Sequence, residues 1–185
     1  MDISNFRSQM SGDGARPNLF RVTVNLPTAL QSLNAGGIFG TKLSISARAT
    51  QIPGSTIGKV PVSYQGRQVY LAGNRTFADW TVTVMNDEDF IVRNALEQWS
   101  AAINTHRTNV RLEGLAGSYD YVSDCIVEHL GKTGEDTVIN TYIMESAFPI
   151  DIQPIDLDWG DNDRIEEFTV TFSFDDWVDP SESVA

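Results

Sequence analysis

One cysteine and two histidines in 185 residues leave little material for a disulfide framework, a thiolate–imidazole pair or a His/Cys metal site. Cys125 cannot close an internal disulfide, and in its alternating segment, residues 121–130, it reads as a small buried hydrophobe. His106 and His129 lie far apart, and neither has a Cys or His at metal-ligand spacing. No apolar run approaches the roughly 18 residues of a membrane-spanning helix. No basic segment followed by an apolar one opens the chain, so the sequence predicts neither signal peptide nor membrane anchor and places the protein in the cytoplasm of the cell that makes it. Cations are scarce: 13 Lys and Arg face 25 Asp and Glu, for a net charge of −12. Such a chain repels a phosphate backbone, which disfavours sequence-reading DNA binding.

The charge is unevenly distributed. Residues 1–86 hold eight Lys/Arg against three Asp/Glu, net +5, and residues 87–185 hold five against 22, net −17. Subunits packed head to tail can set the basic part of one against the acidic part of the next; a solvated acidic surface is the plainer alternative. A hydrophobic content of 41% over this length fits one domain, 1–185, with a core that needs neither disulfide nor metal.

Short alternating segments dominate. Residues 1–17, rich in Ser, Gly, Asp and Pro, read as an arm outside the core. Residues 18–26 alternate as a strand, 28–40 read as a loop with a short helical turn, and 43–50 alternate Leu43, Ile45, Ala47 and Ala49 against Ser44, Ser46, Arg48 and Thr50. Residues 60–64 and 67–71 pair across Gln65-Gly66 as the end of a long hairpin, about 52–71. An unbroken strand over 76–85 follows. Asn86 or Asp87 then caps an amphipathic helix over about 87–105, with Val92, Ala95 or Leu96, Trp99 and Ile103 as its stripe. Further strands are predicted over 120–130 and 137–148, joined across 131–134, and over 165–178, whose inward face is Phe168, Val170, Phe172 and Phe174. Residues 150–159 read as a connection, and about 179–185 as a short tail.

Several motifs look chemical and fail on spacing. Gly54 to Val60 resembles a phosphate-cradling loop, but it is one residue short between Gly54 and Gly58, and Val60 stands where a hydroxyl should hold magnesium. Asp156, Asp158, Asp161, Asp163 and Glu167 suggest a calcium loop. However, Gly160 occupies a ligand position and Asp161 the position where the turn needs glycine, so an acidic solvated turn is the better reading. There is no Gly-x-Ser-x-Gly elbow, and neither histidine stands in a triad context. The sequence therefore offers no catalytic, cofactor-binding or metal-binding residues.

What it does offer is an ordered series of motifs. Residues 52–99 carry IPG, the Gly66-Arg67 turn, AGNRTF, DWTVTVMND and a closing Trp99; ARPNLF spans 15–20; Leu157-Asp158-Trp159, then Phe168-Thr169-Val170-Thr171-Phe172 and Trp177, stand near the end. This series resembles the tail tube proteins of contractile-tailed bacteriophages. The resemblance implies a mainly β, antiparallel sandwich or barrel-like subunit with one flanking α-helix, a structural virion protein and not an enzyme. It implies self-assembly into hexameric rings stacked as a tube within a contractile sheath, with baseplate and tail terminator proteins at its ends. The tape-measure protein and then DNA pass through the lumen without sequence-specific binding. It implies residence in the virion tail, and in the host cytoplasm during assembly. The alternatives are the inner tube of a phage-derived contractile injection or type VI secretion system, and a small soluble β-barrel binding module. Lys59 and Arg67, on the hairpin, are the candidate inter-ring contacts, expected to dock on an acidic surface of the adjacent ring.

Overall fold

The structure, a computed structural model, describes residues 2–10, 14–115, 117, 119–133 and 137–180. Along the chain run α1 (Ile3–Gln9), β1 (Phe20–Val24), a 3₁₀ stretch (Thr28–Gly37), α2 (Ile38–Ser46), β2 (Ala47–Thr50), β3 (Ser55–Tyr64) and β4 (Arg67–Phe77). Then come β5 (Trp80–Met85), α3 (Ile91–Ile103), β6 (Ser123–Leu130), β7 (Val138–Ile152), β8 (Glu167–Ser173) and β9 (Asp176–Val178). All the strand pairs are antiparallel.

Strand β7 organises the body because it belongs to both sheets. Its first part pairs with β6 and β9, and β6 in turn with β1; its last part pairs with β8, which continues to β5 and β2. The change of partner falls between Ala147, opposite Ser123 of β6, and Phe148, opposite Ser173 of β8. Just before it Ser146, with a φ of 58, bends the strand and donates its N–H to the Asp124 carboxylate at 3.3 Å. A strand that changes sheets at a bend makes a sandwich corner, and this is the barrel-like architecture expected. Between the sheets lie Val22, Val24, Val127 and Met144 from one side and Val82, Val84, Val170 and Phe172 from the other, all at most 2% exposed.

Helix α3 covers one flank through Val92, Ala95, Leu96, Trp99 and Ala102, recurring at three- and four-residue intervals. Trp99 lies 6.1 Å from Phe172, which is 5.4 Å from Trp80. The polar tips of both indoles are satisfied, Trp99 Nε1–H donating to the Tyr121 carbonyl at 2.8 Å and Trp80 Nε1–H to that of Gln51 at 3.1 Å. Cys125 is wholly buried, and desolvation holds its thiol pKa well above the ordinary range.

Several expectations need correction. There are three α-helices among the described residues, not one, and the strand expected over 43–50 is helical as far as Ser46. Leu43 is buried one turn from Phe39, while Ile45, its supposed same-face partner, stands 76% exposed; the period was 3.6 and not two. The strand expected over 76–85 breaks at Ala78 and Asp79, because Phe77 pairs with Ser55 in the hairpin while Trp80 pairs with Phe172 in the body. Likewise 165–178 divides at Phe174 and Asp175, where the chain passes from β8 to β9 and changes partner strand. Residues 150–152 continue β7 and are not yet a connection.

Helix α3 starts at Ile91, preceded by Phe90 with φ 53, and neither Asn86 nor Asp87 is its N-cap. The Asn86 side-chain amide donates to the Glu166 carboxylate at 2.9 Å and the Asp87 carboxylate accepts the Glu88 N–H at 2.8 Å, while the Asp89 carboxylate receives the Ile91 N–H at 3.1 Å. The arm, read as non-periodic, carries α1, fully exposed and capped by Asp2, whose carboxylate accepts the Ser4 N–H and is thereby held below the usual pKa. Residues 134–136 of the turn expected after β6, and residues 181–185 of the tail, lie outside the described residues.

Candidate assembly interface

Strands β3 and β4 form a two-stranded sheet of their own and pair with nothing else among the described residues. Every β3 residue is exposed, and along β4 only Gly73 and Phe77 are partly covered. Ten β3 residues at about 3.3 Å each give the hairpin a reach of about 33 Å. The tip closes through Gln65 and Gly66, both at positive φ (46 and 78), the backbone hand that matches the twist of a two-residue hairpin. Below it Gly73 and Asn74 face the single residue Gly58 across a bulge. A Cβ at Gly73 would lie 3.0 Å from the Gly58 carbonyl oxygen, so any other residue would crowd the facing backbone at this close approach of the strands.

Register assigns the two faces. Val60 opposes Leu71, Val62 opposes Val69 and Tyr64 opposes Arg67, giving one face that is apolar up to a cation at the tip. Lys59 opposes Ala72, Pro61 opposes Tyr70 and Ser63 opposes Gln68 on the other, more polar face. An isolated hairpin is at best marginal in water. Here it also exposes five large apolar side chains on one face, with two strand edges unpaired. Such a feature is stabilised by burial against something else. This defines a subunit of an assembly: a closed core carrying an arm whose hydrophobic surface is left for a neighbour.

The structure does not bring the two candidate contact residues together. Lys59 lies on the polar face with its ammonium 4.9 Å over the Tyr70 ring, and Arg67 lies on the apolar face beside Tyr64. Neither forms an ion pair within the described subunit. Arg75, a third hairpin cation, donates to the Ser55 hydroxyl at 2.7 Å. The apolar residues of the first face were missed as site residues, although the alternation of VPVSY and RQVYL contains them.

The other motifs are spoken for locally. Gly54 to Val60 runs into an extended strand with no helix behind it, so the backbone does not form a phosphate cradle. In the acidic segment, Asp158 accepts the Gly160 N–H at 2.9 Å, Asp161 pairs with Arg164 at 3.7 Å, and Glu167 pairs with Arg48. Among the described residues no three His, Cys, Asp or Glu side chains converge as a metal site. His106 is exposed and His129 half-buried, with Nδ1 of the latter lacking a hydrogen-bond partner.

Relatives agree with this architecture. A family model described as phage tail tube protein matches residues 15–179. Tail tube protein gp19 of Enterobacteria phage T4 is 32% identical over 171 residues, 92% of this chain and 95% of that protein. The tail tube protein of Serratia phage KSP90 is 26% identical over 169 residues, 90% of each chain. Among solved structures, a chain of the PVC extracellular contractile injection system sheath/tube terminator superposes with a TM-score of 0.62 at 12% identity, covering 90% of this chain and 96% of that one. A chain of the anti-feeding prophage tube-terminating cap gives 0.61 at 14%, covering 90% of each. This chain belongs to the phage tail tube protein family.

Proposed function

We propose that this chain, one tube domain over 1–185, assembles as hexameric rings that stack into the hollow tube of a contractile phage tail, and that it catalyses no reaction. The hairpin of β3 and β4 carries the reading: its apolar face has no partner among the described residues and its length suits contact with another copy. The sheath surrounds the tube, and the baseplate and terminator proteins bound its ends. The tape-measure protein and then DNA pass through the lumen. A wall of net charge −12 per subunit holds phosphate weakly, which favours passage over adhesion. Tube subunits act in the virion tail and wait in the host cytoplasm before assembly.

Phage membership is favoured over a DNA-free injection tube by sequence, since 32% identity joins the chain to a phage tube whereas the injection-system likeness is one of fold. Reversing charge at Lys59 and Arg67 together tests the hairpin's role as an inter-ring contact. Electron microscopy of the purified variant should show tubes reduced or absent beside wild-type tubes; undiminished tubes would remove the electrostatic part of the reading.

A further inference from the structure

The hairpin has a counterpart at the far end of the same strands. β5 and β8 are antiparallel, with Trp80 opposite Phe172 and Met85 opposite Glu167. The hairpin leads into β5 at Trp80, whereas the loop of residues 153–166 leads into β8 at Glu167, beside Met85. Hairpin and loop therefore leave opposite ends of one strand pair, about 17 Å apart along β5.

The loop is as unfinished as the hairpin. Trp159 is 102% exposed and Leu157 81%. An indole left wholly in water, with its large apolar surface uncovered, is the type of side chain that anchors interfaces. The charges are opposite too. Residues 153–166 carry Asp156, Asp158, Asp161, Asp163 and Glu166 against Arg164, net −4, and residues 55–77 carry Lys59, Arg67 and Arg75 with no acid, net +3. Arg164 already faces Asp161, so the loop has no spare cation of its own.

We propose that the loop of residues 153–166 is the seat for the hairpin of a second copy of this chain. Trp159 and Leu157 pack on the apolar face around Val62 and Val69, and the loop carboxylates meet Arg67 at the tip of that face. The inference rests on the hairpin's being a contact arm and names the surface that receives it. An interface joining one end of a subunit to the opposite end of the next is heterologous, so it repeats along the β5 direction and leaves a free hairpin and a free loop at each step. A stack follows from one such contact, and the +5/−17 division along the chain acquires a spatial meaning.

Three full-length variants test it: hairpin reversal (Lys59→Glu with Arg67→Glu), loop reversal (Asp158→Lys with Asp163→Lys), and both in one chain. Tube yield is read by electron microscopy, with sedimentation velocity reporting subunit association where assembly stops short of tubes. Each reversal alone should lower association at least about tenfold, since juxtaposed like charges cost several kcal/mol, and the combination should restore it. If hairpin reversal blocks association while loop reversal does not, the hairpin remains a contact arm and the loop is not its seat. If hairpin reversal has no effect, its electrostatic contact role is itself overturned. Acrylamide quenching is an independent check. Trp80 and Trp99 are buried and Trp177 half-buried, so Trp159 supplies most of the quenchable emission of the free subunit, and a Trp159→Phe variant isolates its share. That emission should become protected in tubes, and a Trp159 still fully quenchable there overturns the proposal.

Discussion

Lys59 and Arg67 lie on opposite faces of one hairpin: Lys59 shares its face with Tyr70, whose ring it covers at 4.9 Å, and Arg67 shares the apolar face with Tyr64. The two cations therefore cannot meet one flat partner surface together. Arg67→Glu places an anion at the end of the face with most apolar area to bury, and should weaken assembly more than Lys59→Glu, whose ammonium is already engaged by a ring. Tube yield of the two single variants, measured side by side over a range of salt, checks this; equal losses would mean that both faces are covered.

Apolar contact should matter more than either charge. Val62→Asp or Val69→Asp puts a carboxylate in the middle of the apolar face, and burying it unpaired costs several kcal/mol. Assembly should be abolished. Because the hairpin pairs with no other strand among the described residues, the stability of the free subunit should change by no more than the about 0.5 kcal/mol usual for surface substitutions. Loss of tubes together with a large fall in midpoint would show that the hairpin supports the core after all.

Core substitutions should behave in the opposite way. Trp99 is buried, packs at a tilt against Phe172 and donates to the Tyr121 carbonyl, so Trp99→Ala removes packing and leaves that carbonyl without its donor. A loss of about 3–5 kcal/mol is expected for a large aromatic truncated in a core, measured by urea unfolding of the subunit. A loss below about 1 kcal/mol would mean that the flank under α3 is loosely packed.

What could be read from the sequence divides along physical lines. The alternation of Phe168, Val170 and Phe172, and the stripe through Val92, Leu96 and Trp99, were legible because each segment has one period and one buried face. Residues 43–50 were not, since Leu43 fits either a two-residue or a 3.6-residue period, and only the burial of Phe39 decides between them. The breaks at Ala78–Asp79 and Phe174–Asp175 are changes of partner strand, which no local pattern encodes. The hairpin was visible through its turn at Gln65-Gly66, yet the exposure of its apolar face, like that of Trp159, is a property of the fold as a whole.

The thiol offers a test of closure. Cys125 sits on β6, wholly buried, and burial raises its pKa, so little thiolate exists at mildly alkaline pH and reagent has no access to it. An aromatic disulfide reagent at pH 8 should label the folded subunit negligibly, and react fully once denaturant unfolds it. Rapid labelling of the native chain would require that the core around β6 opens.

Acid should loosen the junction between α2 and the start of α3 before it unfolds the core. Lys42 Nζ donates to Asp87 at 2.7 Å and also to Asp89, whose pKa is lowered, first by the hydrogen bond from Lys42 and then by that from the Ile91 N–H. A carboxylate with a depressed folded pKa contributes stability that is present above its unfolded value of 3.8 and is lost as pH falls through the lower folded value. Lys42, raised by the same partners, contributes the complementary effect, lost only as pH rises through its folded pKa above 10.5. The pair is exposed, so the effect is small and salt-sensitive. Between pH 5 and 9 the subunit should show no change from this cluster. Below about pH 4 wild type should lose stability faster than Asp89→Asn, with the two curves converging at the acid end. Identical acid limbs for the two proteins would mean that Asp89 does not clamp the helix start in solution.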